Sequence, residues 1–377
     1  MPKLTPLELA TNSVFGLDPG TPALPRPDSG LSPLAAMETS VLPALTRPPC
    51  VVTFSGGRDS SLVLAVAARV ARREGLPLPI PATIRFVEIR GAEESSWQDL
   101  VLRHLKLDER VSIEVRTDLD FVGPLVGPIL RRHGILWPLN VYLHAALIES
   151  ARGGSLMTGM TGDNVFGGGR WLATNQLLGG RRKPELRDAL RLGLAFSPGW
   201  VRRLVMRRRV ETCPWLRPAA QQAFIEARSQ AEAGIPRRWN RWIDQLSRRR
   251  SWRVAAESME ALAADFDTRL VQPLADRSVL ASLARAGGTR GIGDRTAIMR
   301  ILFADVLPDP VLARPDKAVF GAAFLGRWTR DFAWAWRGEG VDHDVVDPDV
   351  LRAVWLGKRF DFRAALLLQA AWLHERH

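Results

Sequence analysis

Residues 50–61, reading CVVTFSGGRDSS, constrain this chain more than any other stretch. The apolar run from Cys50 to Phe54 predicts a short buried strand. It stops at Ser55-Gly56-Gly57, and a helical spacing of Leu62, Val63, Val66, Ala67 and Val70 follows. A strand, a glycine turn and a helix N-terminus form a cradle for phosphate. Glycine lets backbone approach the ligand, and the first N–H groups of the helix point at the anion. Ser55, Ser60 and Ser61 add hydroxyls, and Asp59 adds a carboxylate for a metal carried on phosphate. The stretch lacks the Gly-Lys-Ser/Thr ending of a Walker loop and the G-x-G-x-x-G of a dinucleotide site.

The chain continues in alternation. Strands are expected at 83–89, 111–115 and 155–158, with helices at 60–74, 93–105, 121–133 and 140–151 between them. That order predicts an α/β fold with a parallel sheet covered on both faces, and ligands beyond the carboxyl ends of its strands. Residues 1–49 are rich in proline and read as an N-terminal wrap. Leu4 to Leu17 is apolar enough to dock, and 35–45 is spaced for a short helix. Residues 50–175 read as a nucleotide-binding domain. Beyond about residue 175 the strand signal stops, so 176–377 is expected to be a mainly helical domain closing one side of the cleft.

A second glycine-rich loop, LMTGMTGDNVFGGGR at 156–170, follows the fourth expected strand and carries Asp163. Two strand-end loops with one aspartate each suit a Mg²⁺–triphosphate, because Mg²⁺ takes few carboxylates and keeps phosphate and water oxygens. Ser55-Gly-Gly-Arg-Asp59-Ser60 resembles the pyrophosphate loop of the adenylating ATP pyrophosphatases. Thr158 to Gly168 is similar to the matching loop of asparagine synthetases, in register at Gly159, Asp163, Phe166, Gly167 and Gly168. The resemblance implies a nucleotide α-hydrolase fold. It implies that Phe54, Ser55, Gly56, Gly57, Asp59, Ser60, Ser61, Thr158 and Gly159 bind ATP, and that Asp59 and Asp163 bind Mg²⁺. A residue near Phe86 or Val87 would join Phe54 at adenine. Met160 stands where the family has glutamate, or tyrosine in β-lactam synthetases, so either another group takes the nucleophile's proton or the substrate differs. Asn164 replaces a second glutamate.

The likeness extends to 325. Residues 267–276 loosely match a family segment. Asp294, Arg295 and Arg300 precede Leu307-Pro308, and Arg314-Pro-Asp-Lys317 follows. By resemblance Lys317 is catalytic, stabilising charge as pyrophosphate leaves; an exposed loop lysine is the plain alternative. The implied activity is ATP-dependent, AMP-forming ligation of a carboxylate to ammonia or an amine, a peptide amine included, as in β-lactam synthetases and lasso-peptide cyclases. Fewer than fifty residues precede the first expected strand, so no glutaminase is expected within this sequence, and a separate amidotransferase or peptide-binding partner is implied. A tRNA-modifying enzyme and a non-catalytic relative stay open as alternatives.

The net charge of +12 fits an anionic substrate or partner without choosing one. Arginines around Trp239, Trp242 and Trp252 suit either nucleic acid or an amphipathic helix with a buried tryptophan face; nucleic acid is the less favoured partner and stays open. Cys50 and Cys213 form no metal or dithiol motif. No membrane span or signal-peptide pattern is present, and a cytoplasmic enzyme is expected.

Overall fold

The computed structural model describes residues 4–25, 30–87, 94–116, 119–180, 183–315 and 321–376. Strand β1 (Cys50–Thr53) is the centre. It pairs in parallel with β2 (Ile80–Phe86) on one side and β4 (Ser155–Met157) on the other. β3 (Val111–Val115) and β5 (Arg269–Val271) complete a five-stranded sheet of order β3-β2-β1-β4-β5, also paired in parallel. The chain thus winds outward from β1 to β3 and returns on the other side of β1. Such a reversal opens a crevice at the carboxyl ends of the two central strands. Here it brings the 55–60 and 158–163 loops side by side.

Period two explains how β1 serves two cores at once. Val51 and its partner Leu156 face one apolar cluster, while Val52 and Met157 face the other. The connection from β1 is α3 (Arg58–Glu74), which follows α1 (Pro6–Thr11) and α2 (Pro33–Leu45). Residues 62–68 of α3 are all buried, so this helix is interior rather than a surface amphipath. Gly75 ends it in the left-handed conformation, at φ 66°. α2 packs on α3, with Met37, Val41 and Ala44 fully buried. α1 is tied down by the Trp215 indole, which donates to the Ala10 carbonyl at 2.8 Å.

Several expected boundaries shift. β2 starts at Ile80, three residues early, because Pro81 sits in its register with Val52 without ending the strand. Residues 88–89, expected in that strand, lie outside the described residues. The helix expected from 93 is α4 (Ser95–Leu105). That expected from 121 begins only at Val126, as α5 (Val126–His133), after the turns around Pro124. The segment expected as one helix from 140 is a 3₁₀ turn, Leu139–His144, running into α6 (Ala145–Glu149). The expectation of no strand beyond residue 175 fails: β5 comes from that region. Its three residues are too few for a period to show, and it is fixed by register against β4. The tryptophan-bearing helix Trp239–Ser247 buries Trp239 and Trp242, so those two rings are not available for base stacking. Among the described residues no helix is long and apolar enough to cross a membrane.

Candidate active site

A cavity of about 290 Å³ opens at the carboxyl ends of β1, β2 and β4. Its apolar lining comes from Phe54, Ala82, Ile84, Phe86, Leu143, Leu147 and Met160. Its polar lining comes from Ser55, Gly57, Arg58, Asp59, Ser60, Gly159, Asp163 and Arg295. Glu94, Gln98 and Arg314 close the side nearest α4. Of the adenine-side residues expected from sequence, Phe54 and Phe86 line this space; Val87 is not among its lining residues.

The first loop is held by its own hydroxyls. Ser60 Oγ donates to the Gly57 carbonyl (3.1 Å) and lies 3.2 Å from Ser55 Oγ. Gly56 adopts φ 80°, a conformation that a side chain resists, and a Cβ there would crowd Gln98 and Trp97. Gly57 caps α3 without any side-chain cap bond. The first-turn N–H groups of this 17-residue helix therefore have no N-cap side-chain acceptor, at the point where residues 57–60 line the cavity.

The second loop begins at β4 and leads into α7 (Gly162–Phe166). Thr158 Oγ1 accepts from the Met160 N–H at 3.0 Å. The loop lies directly on the first turn of α3. A Cβ on Gly159 would sit 2.7 Å from Ser60 N, and one on Gly162 would sit 2.2 Å from Asp59 Cγ. Thr161, at φ 73°, turns the backbone just before Gly162 and so points Asp163 back toward Asp59.

Arg295 joins the two aspartates. It donates from one terminal nitrogen to Asp163 Oδ1 (2.5 Å) and from the other to Asp59 Oδ2 (2.6 Å). Burial works against its charge, but the field and hydrogen bonds of Asp59, then of Asp163, outweigh burial and hold its pKa above the ordinary value. Arg58 shifts the other way, through burial and then the nearby charge of Arg295. Arg314 is buried beneath the loop. It donates to the Gly56 carbonyl at 2.8 Å, pairs with Glu94, and stacks 4.9 Å from the Trp97 ring centre.

Most residues expected from the two motifs thus meet at one place. Three do not line the cavity. Ser61 is fully buried, with no hydrogen-bond partner for its hydroxyl among the described residues, and Thr158 is also fully buried. Both follow from geometry: Ser61 is one position further round α3 than Ser60, and Thr158 still points along β4 into the interior. Gly56 contributes its backbone to the loop without lining the cavity. Lys317 falls at 316–320, outside the described residues. Sequence reasoning assigned no site role to Arg58, Glu94, Arg295, Arg314 or His144.

The asparagine synthase family model matches residues 36–374. The chain belongs to the asparagine synthase family. Its five-stranded parallel sheet is the adenine nucleotide α-hydrolase fold of that family, whose members are ATP-dependent amide-forming ligases. No curated protein matches the chain significantly.

The donor set fits the family's nucleotide and metal. An uncapped helix start beside a glycine turn suits polyphosphate. Asp59 and Asp163 reach a single cation from two loops, and no cluster of three potential ligands occurs among the described residues. Two carboxylates completed by phosphate and water suit Mg²⁺ rather than an all-protein cage.

His144 also lines the cavity, 8% exposed, with Nδ1 buried and without a hydrogen-bond partner among the described residues. Burial pushes its pKa down to about 4, so the ring is neutral near pH 7. The unfolded chain binds its proton below about pH 6.5, whereas the folded chain resists until about pH 4. The neutral ring therefore supports the fold fully above pH 6.5, and that support is lost as pH falls through this window, about 3 kcal/mol in all. His144→Gln is expected to flatten the acid limb between pH 6.5 and 4 in urea-unfolding free energies. An unchanged limb would show that the ring is hydrated.

Proposed function

We propose that this chain is an AMP-forming amide ligase. A substrate carboxylate attacks the α-phosphorus of ATP, the α–β bridging bond breaks, and pyrophosphate leaves. Ammonia or an amine then attacks the acyl carbon, AMP leaves, and the nitrogen gives up a proton. The observation that carries this reading is the meeting of Asp59 and Asp163 on one cation, at the start of α3, in the wall of a cavity that Phe54, Ile84 and Phe86 also line.

Each part of the cavity has a role in it. Ser55, Gly56, Gly57 and Ser60 cradle pyrophosphate with the α3 N-terminus. The apolar walls at Phe54, Ile84 and Phe86 take the base. Thr158 and Gly159 shape the nucleotide side of the second loop, with Thr158 acting through its bond to the Met160 N–H. Asp59 and Asp163 hold Mg²⁺, which when bound neutralises charge on the leaving pyrophosphate. Lys317 is assigned the same task on the basis of its motif. Met160 lines the cavity but offers no proton acceptor, so the amine's proton leaves by another group or by water. The acid and the amine come from outside the chain, the amine from a peptide or from a separate amidotransferase.

Exchange of labelled pyrophosphate into ATP, screened over candidate carboxylic acids, tests the first step. Exchange is expected only when Mg²⁺ and one class of acid are present. Exchange that needs no acid, or none with any acid from a protein that also fails to bind Mg²⁺·ATP, would overturn the reading.

A further inference from the structure

Arg295 is held in an unfavourable place by the two carboxylates it touches. It is the first residue of the helix Arg295–Phe303, capped by Asp294, whose Oδ1 accepts from Ala297 N–H. A cation at a helix start opposes the helix dipole. The neighbouring charge of Arg58 opposes it as well, and the side chain is three-quarters buried, with Nε unpartnered among the described residues. The helix itself is fixed, since Ile298, Met299 and Phe303 are fully buried. What keeps the guanidinium in position is therefore the pair Asp59 and Asp163, one on each terminal nitrogen.

Those carboxylates are the pair assigned to Mg²⁺, and an arginine fork and a divalent cation compete for the same oxygens. We propose that Arg295 is a positioning cation. In the nucleotide-free protein it occupies Asp59 and Asp163, draws the two loops together and suppresses binding of free metal. When metal arrives with the nucleotide, the fork is released and pairs with phosphate, the anion that the helix start and Arg58 also favour. The device makes the aspartate pair selective for metal that comes with phosphate. The proposal rests on the nucleotide reading above, but its test does not need catalysis.

Free Mn²⁺ binding, followed by electron paramagnetic resonance without nucleotide, reads the competition directly. Removing the fork in Arg295→Gln is expected to tighten free Mn²⁺ binding at least tenfold while weakening binding of an ATP analogue. Arg295→Lys, which keeps the charge but reaches one carboxylate at a time, is expected to fall between the two and guards against misfolding of the first variant. Free Mn²⁺ affinity unchanged or weakened in a folded variant would overturn the proposal, and would leave the nucleotide reading standing if the wild type binds Mg²⁺·ATP. Failure of the wild type to bind Mg²⁺·ATP would sink the nucleotide reading instead, whatever the Mn²⁺ result.

Discussion

Gly162→Ala is expected to lower turnover by about a hundredfold or more, because a misplacement near 1 Å at reacting groups is enough for that loss. The added methyl would lie 2.2 Å from Asp59 Cγ and 2.6 Å from Asp59 Cβ. Neither is the free end of a long side chain, so the strain is not absorbed without moving the site. Either Asp59 turns away from Arg295 or the second loop lifts off α3, and both separate the aspartates. Overpacking also costs about 1–3 kcal/mol of stability. A control separates the two effects. Gly154, at the opposite end of β4, would place a methyl 2.2 Å from the Pro49 carbonyl oxygen. Gly154→Ala is expected to lose stability similarly while keeping the turnover of its folded fraction. Steady-state kinetics with thermal melts of both variants decide the matter. Equal catalytic loss in both would show that Gly162 matters only for folding.

Arg314→Ala is expected to have the largest effect on stability, about 3–5 kcal/mol, the usual consequence of leaving a buried ion-pair partner alone. The pair is well covered, at 4% and 10% side-chain exposure for Arg314 and Glu94. The same guanidinium satisfies the Gly56 carbonyl, so the loss also loosens the glycine turn. Arg314 thereby couples the 309–315 segment to the first loop, and Lys317 follows shortly after it in the sequence. Urea unfolding of Arg314→Ala checks the expectation. The double variant Arg314→Met/Glu94→Leu is expected to recover much of the loss, because no buried charge is then left unpaired. A single-variant cost below about 1 kcal/mol would mean that water reaches Glu94.

The parts of the fold that were legible in the sequence are those set by local pattern. β1, β3 and α3 stand where the apolar runs place them, and the glycine turn between β1 and α3 is as expected. The approach of Asp59 to Asp163 was legible too, because strand alternation puts both loops at one edge of a parallel sheet. The contacts of Arg295 and Arg314 were not. They span 236 and 258 residues, and periodicity carries no information over such a distance. Both arginines stand in the stretches that resemble the family, but nothing local says which group each one meets. β5 was hidden because its register comes from β4 rather than from its own three residues.

Calorimetric titration with a non-hydrolysable ATP analogue, with and without Mg²⁺, tests the central claim most directly. The wild type is expected to give saturable heat that depends on Mg²⁺, and Asp59→Asn, folded by its melting curve, is expected to give none. No heat from folded wild type, or equal heat from Asp59→Asn, would contradict the assignment of this cavity to Mg²⁺·ATP.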